Sequence, residues 1–333
     1  MRPGRLMRVA ITGAGGRLGS ALAEALGQAA FAAEILGWDV PEHDLDDPAS
    51  AERLVGRFRP DVVVHTAAWT NVDDCARDPE LAMRRNGTAV GELAEACVRH
   101  GAGLVTVSTN EVFDGRRTDG RPYLPEDRPN PANPYGAAKL EGEQAARAAF
   151  GASDGEFALA ARRPRNQPMG SLPALAIVRT AWLFGPPGND FPAKIVAAGR
   201  RALEQRVSLK LVADEFGTPT YAPDLALAIV ALLRAATDSG MGTLAGIHHV
   251  VNSGQASRAE WARAVLEMAG VDVQTEDVPM TTWPRPSTPP RWGVLEPTPL
   301  PDGSRLRPWQ EALAEYLVAS SSTGPARAGG ANS

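Results

Sequence analysis

Tyr135 and Lys139 stand four residues apart in NPANPYGAAKLEGEQAAR, a stretch with the spacing of a helix start. Four residues is about one helical turn, so both side chains project from one face. An ammonium beside a phenol stabilises phenolate and draws the tyrosine pKa down from about 10, which suits a group that delivers or removes a proton at a carbonyl or carbinol. A second constellation lies near the N-terminus. In VAITGAGGRLGSALAEAL, Gly13, Gly16 and Gly19 follow an apolar run and open an amphipathic one with G-x-x-G-x-x-G spacing. Glycine permits a tight turn and close backbone approach, and a helix N-terminus offers N–H groups to a pyrophosphate. Asp39 lies 20 positions past Gly19, where a dinucleotide site keeps an acid for the ribose. The loop thus predicts NADH or NADPH binding at Gly13, Gly16, Arg17 and Leu18. Asp39 would accept from a 2′-hydroxyl and favours NAD, whereas Arg17 would pair with a 2′-phosphate and favours NADP.

These groups need a scaffold. Short β-rich runs at Arg8–Thr12, Glu34–Trp38, Asp61–His65 and Leu104–Val107 alternate with helical patterns such as Leu18–Leu26 and Thr88–Arg99. That alternation predicts βαβ units on a parallel sheet. The run DVVVH is almost continuously apolar, as a central strand covered on both faces requires. Further strands are expected at Ala174–Thr180, Leu209–Ala213 and Ile247–Val251, with Asp224 as N-cap of a helix over Leu225–Ala235. Residues 151–173 read as a surface insertion, Val278–Pro301 as proline-rich ordered coil, and 319–333 as a disordered tail. The expected fold is α/β: a Rossmann-type doubly wound parallel sheet from 7–182 and 214–252, with a smaller C-terminal substrate-binding portion from 183–213 and 253–318.

Composition narrows the function classes. The 333 residues carry 34 Lys and Arg against 39 Asp and Glu, a net charge of −5, which argues against general attraction to nucleic acid or anionic lipid. Cys75 and Cys97 form no CxxC pair, so neither a disulfide framework nor a cysteine-rich zinc site is expected. No apolar run reaches the ~18 residues of a membrane span, and the N-terminus lacks a signal-peptide core. The five histidines sit in no metal-ligand pattern, so no metal is expected. His248 and His249 fall on a strand facing opposite ways. The reading is a cytoplasmic protein, with a homodimer as the commonest assembly of such chains.

The order of landmarks is more specific than any one of them. The glycine loop is followed by RPDVVVHTAAWTNVDDCARDPELAMRRN, STNEVF, NPYGAAKLEGE, IVRTAWLFG and DEFGTPTYAPDLA. The chain resembles the extended short-chain dehydrogenase/reductase superfamily and, within it, the dTDP-4-dehydrorhamnose reductase family, from about Met7 to about Leu317. That resemblance implies NAD(P)H-dependent reduction of the 4-keto group of a dTDP-linked 6-deoxy sugar, dTDP-4-dehydrorhamnose to dTDP-L-rhamnose. It implies Tyr135 as general acid, Lys139 as the residue that holds the nicotinamide ribose and tunes the tyrosine, and Thr109 as hydrogen-bond partner of the reacting carbonyl. Thr66, Ala67 and Ala68 would line the cofactor, with Asp44 and Leu45 near the adenine. Trp182 would face the sugar, and Asn189, Phe191, Asp214, Phe216 and Arg291 would contribute to the substrate wall. Two departures bear on the sugar. Asn110 and Glu111 stand where the family commonly has Asp-Tyr, beside the substrate carbonyl, and Gly293 stands where a serine is expected. A nucleotide-sugar epimerase or dehydratase shares the same glycine loop and tyrosine–lysine pair. A noncatalytic NADP-binding subunit resembling the methionine adenosyltransferase β chain shares the fold.

Overall fold

The computed structural model describes residues 7–29, 31–152 and 174–322. Six parallel strands form the central sheet: β1 (Met7–Thr12), β2 (Ala32–Trp38), β3 (Val62–His65), β4 (Gly103–Thr109), β5 (Leu175–Thr180) and β10 (Gly246–His249), in the spatial order β10-β5-β4-β3-β1-β2. Helices α1 (Arg17–Gly27), α2 (Ser50–Phe58), α5 (Ala89–His100), α6 (Pro134–Ala149) and α8 (Ala222–Ser239) cover its two faces.

Strand side chains alternate between two cores, as period-two geometry requires. Val9, Ile11, Val62, Val64, Val105 and Val178 pack with Leu22 of α1 and Leu225, Ile229 and Leu232 of α8. Ala10, Val63, Leu104, Leu175 and Ile177 face the other way, onto Val55 of α2, Leu93 and Cys97 of α5, and Ala146 of α6. β3 and β4 are therefore buried on both faces, which explains their nearly unbroken apolar runs. Chain order reverses direction across β1 and β3, so the loops after these strands diverge and leave a crevice at the carboxyl edge of the sheet.

The later chain builds a second core from Phe184, Tyr221, Trp261, Trp309, Leu313 and Tyr316. It carries α7 (Phe191–Gln205), α9 (Arg258–Met268), α10 (Trp309–Ser322) and a strand pair of β7 (Leu209–Val212) with β12 (Thr275–Val278). Two-residue strands complete it: β6 (Leu183–Phe184) with β9 (Thr220–Tyr221), and β8 (Phe216–Gly217) with β11 (Ala256–Ser257). Ser257 and Glu260 close α9 with a capping box, each bonding the other's backbone N–H.

Some sequence expectations are corrected. Asp224 is not an N-cap: α8 starts at Ala222 after Tyr221, and Pro223 occupies its first turn. The Asp224 carboxylate instead accepts two hydrogen bonds from Arg307 at 2.9 Å and one from Asn252 at 2.7 Å, tying α8 to the C-terminal segment. The expected disordered tail from 319 is corrected over 319–322, where α10 continues to Ser322; 323–333 lie outside the described residues. The expected insertion lies mostly outside them as well, at 153–173. The β12 strand is a strand that the sequence reading did not anticipate.

Candidate active site

A cleft of about 630 Å³ opens at the topological switch and is lined by the glycine loop, the residues after β3, the end of β4 and the start of α6. Gly13 has φ +65°, and a Cβ there would come within 2.8 Å of the Ala67 Cα. A Cβ on Gly19 would meet the Gly13 carbonyl. These two positions require glycine to hold the loop against β3 and α1. Gly16 precedes α1 without a capping side chain, so the first-turn N–H groups are left to a ligand. Gly16, Arg17, Leu18, Asp39, Leu45, Thr66, Ala67 and Ala68 all line this cleft.

Asp39 and Arg17 are already engaged. The Asp39 carboxylate accepts the Gly15 N–H at 2.8 Å and the Val40 N–H at 3.0 Å, while Arg17 Nε donates to the Gly185 carbonyl at 3.0 Å. Asp44 does not line the cleft; its carboxylate closes a turn onto the Asp46 N–H at 2.9 Å. Sequence reasoning missed His43, which lines the cleft, is buried and is pushed toward the neutral imidazole by that burial. Its Nδ1, and the Thr180 hydroxyl on the opposite wall, have no hydrogen-bond partner among the described residues. A glycine cradle, an uncapped helix start and unsatisfied buried polar atoms fit a dinucleotide.

Thr109, Tyr135 and Lys139 converge at the floor. Asn133 caps α6 by accepting the Gly136 N–H at 2.8 Å, which fixes the turn that carries Tyr135. Gly136 lets that turn sit directly on the Glu111 carbonyl, where a Cβ would collide. Lys139 is buried and donates to the Val107 carbonyl at 2.7 Å. Burial lowers its pKa to about 8, against a raising influence from Glu143 one turn on. Tyr135 departs from expectation: burial raises its pKa, Glu111 adds to the rise, and the hydrogen bond with Thr109 opposes it. Lys139 here is directed to a strand carbonyl. Beneath the floor, the buried Glu143 carboxylate takes Ser108 Oγ at 2.5 Å and Arg179 at 2.6 and 2.9 Å.

Asn110 and Glu111 form the wall beside Tyr135. Asn110 is buried and donates to the Gly293 carbonyl at 3.2 Å, and a Cβ on Gly293 would collide with its amide. The two departures from the family pattern are thus one matched pair. Burial raises the Glu111 carboxyl to about 6, even with the Asn133 amide donating to it at 2.6 Å. Trp182 lines the cleft in a left-handed conformation, φ +45°. The Arg258 guanidinium lies 3.6 Å from its ring centroid, Trp261 stacks on it at 5.5 Å, and Gly217 leaves room that a Cβ would fill. Arg258, held by Glu215 at 2.9 Å, was not singled out by the sequence reading.

Arg291 lies elsewhere, on a neighbouring cleft of about 1220 Å³ that Asp214, Phe216, Trp283, Arg285 and Trp292 also line. Asn189 and Phe191 line neither; Asn189 is exposed, and Phe191 stacks on Trp261 at 4.4 Å in the second core. Among the described residues no three His, Cys, Asp or Glu gather as a metal site, and no helix is long and apolar enough to cross a membrane.

Sheet order, glycine cradle and the threonine–tyrosine–lysine floor define a member of the extended short-chain dehydrogenase/reductase superfamily. The family model described as RmlD substrate binding domain matches residues 7–322. Over 331 residues the chain is 38% identical to the dTDP-4-dehydrorhamnose reductase of Mycobacterium tuberculosis, covering 95% of this chain and 94% of that one. Its fold superposes on the dTDP-4-dehydrorhamnose reductase of Clostridium acetobutylicum with a TM-score of 0.80 at 30% identity, over 95% of this chain and 100% of the other. It superposes on the Bacillus anthracis dTDP-4-dehydrorhamnose reductase solved in complex with NADP with a TM-score of 0.78 at 28% identity, again over 95% and 100%. The chain belongs to the dTDP-4-dehydrorhamnose reductase family.

Proposed function

We propose that the protein is an NAD(P)H-dependent reductase converting dTDP-4-dehydrorhamnose to dTDP-L-rhamnose in the cytoplasm. The observation that carries this reading is the buried Tyr135 in a glycine-cradled cleft that Thr109 and Lys139 also line. Gly13, Gly16, Arg17 and Leu18 would hold the cofactor pyrophosphate, and Thr66, Ala67 and Ala68, which line the same cleft, would pass against the cofactor. A reduced nicotinamide held by these residues would supply the hydride for the sugar C4. Tyr135 delivers the proton to the C4 oxygen as a phenol that is neutral at the start of the step. Thr109 holds that oxygen, and Lys139, which lines the same cleft, offsets developing charge.

The neighbouring cleft takes the nucleotide arm, with Arg285 and Arg291 supplying positive charge and Phe216 and Trp292 flat surfaces. Asn110, Glu111 and Trp182 border the sugar between the two clefts. In this reading residues 7–182 and 214–252 serve the cofactor, 183–213 and 253–318 serve the substrate, and the assembly is a homodimer. Relatives named as reductases at 38% identity favour net reduction over the epimerase, dehydratase and regulatory-subunit readings.

The test is NADPH and NADH oxidation with dTDP-4-dehydrorhamnose made in situ. Tyr135→Phe should lose about 10²–10⁴-fold in kcat while still binding cofactor. Full turnover by that variant would overturn the mechanism. Wild-type protein that purifies with tightly held NAD and oxidises neither reduced cofactor would favour the epimerase reading.

A further inference from the structure

Segment 285–293 runs between the two clefts as a strap. One side of it, including Arg285, Thr288, Arg291 and Trp292, lines the large cleft. Its other side is pinned at three points, each on an element that borders the small one. At the first pin, Asp73 of α3 (Val72–Arg77) accepts Ser287 Oγ at 2.7 Å, the Ser287 N–H at 3.3 Å and Arg285 Nε at 3.2 Å. In the middle, Asn133 Nδ2 donates to the Thr288 carbonyl at 3.1 Å. At the far end, Asn110 Nδ2 donates to the Gly293 carbonyl at 3.2 Å.

The middle pin differs from the others. Asn133 is buried and fully committed: its two amide hydrogens go to Thr288 and to Glu111 Oε2, and its oxygen accepts the Gly136 N–H. Gly136 follows Tyr135 directly. One side chain therefore joins the strap, the wall beside the sugar and the first turn of the helix that carries the proton donor. A helix cap alone needs only the acceptor; the two donations have no capping purpose.

We propose that Asn133 is a positioning residue that sets the Tyr135 hydroxyl according to whether the large cleft is occupied. An occupant pressing on the strap acts on Asn133 through Thr288, and Asn133 holds the first turn of α6 and Glu111 in register. Binding energy from the nucleotide, remote from the reacting carbon, is thereby used to place the proton donor. The inference rests on the reading that the large cleft holds the nucleotide arm.

Asn133→Ser separates the roles, because serine caps a helix as well as asparagine does but brings no amide donors. Hydrogen exchange of the peptide over 134–140 is followed with and without dTDP, alongside steady-state turnover of the keto sugar. In the wild type, dTDP should slow exchange in both the strap and 134–140, by about three-fold or more in the latter. In Asn133→Ser the slowing should stay in the strap, kcat should fall about ten-fold or more, and cofactor affinity should hold. Asp73→Ala, which frees the strap at its first pin, should also blunt the transfer to 134–140, and it serves if the serine variant fails to fold. Equal protection of 134–140 in wild type and both variants, or none in wild-type protein that binds dTDP, overturns the proposal. Strap exchange that ignores dTDP removes the occupant on which it stands. Coupled protection without turnover of the keto sugar would leave the positioning role intact and remove the reductase reading.

Discussion

Lys139 and Glu111 give the cleft two titrations with opposite senses. The Lys139 pKa falls from 10.5 to about 8 on burial, so its ammonium is lost as pH rises through about 8. We expect kcat/KM to decline on that alkaline limb, and Lys139→Arg, which stays charged, to remove the limb while lowering kcat. Glu111 moves upward, from 4.5 to about 6. A folded-state pKa above the unfolded value contributes stability that is full below about 4.5 and lost as pH rises through about 6. Glu111→Gln should therefore gain on the wild type as pH rises through these limits, by about 2 kcal/mol at neutral pH, read from urea unfolding at about pH 4.5 and about pH 7. The sequence reveals that a carboxylate stands at 111. It does not reveal that Asn133, 22 residues away, meets it, because that contact depends on where α6 is set down.

The βαβ units were the most legible part of the chain. In β3 and β4 both faces are covered, so the run of apolar residues and the turn residues around it announce the strands directly. The glycine loop was equally plain, since Gly13 and Gly19 answer to steric needs that no other residue meets. Gly13→Ala forces a side chain into a left-handed position against Ala67 and should cost about 1–3 kcal/mol of stability. It should also diminish the thermal stabilisation that NADPH confers, measured by thermal shift. Misreading Asp224 as a cap shows the limit of local signals. An aspartate ahead of an apolar run has the right composition, but Pro223 and the pull of Arg307 from 83 residues away give it another use. The same holds for Glu143 and Arg179, which stand 36 residues apart and meet as a buried ion pair under the floor. Glu143→Ala leaves the guanidinium buried without its partner and should destabilise the protein by about 3–5 kcal/mol in denaturant unfolding.

Taken as one body, the chain leaves the six-stranded sheet at β5, builds much of a second core, returns to the sheet through α8 and β10, and leaves again. The two cores are consequently interleaved in sequence, and Asp224, Asn252 and Arg307 join a sheet-covering helix to the last segment. Asp224→Ala should weaken that joint by about 1–3 kcal/mol and loosen α10 before the sheet opens, which proteolysis at the C-terminal helix would detect first. The two cysteines lie at different depths of this architecture. Cys97 is fully buried under the sheet, and burial holds its thiol well above the ordinary range; Cys75 is buried behind Tyr135 with its thiol raised to about 11. Neither should react with a thiol reagent while its surroundings stay closed. The protein thus carries two built-in clocks, one that strikes when the region behind Tyr135 opens and one that strikes only when the sheet itself comes apart.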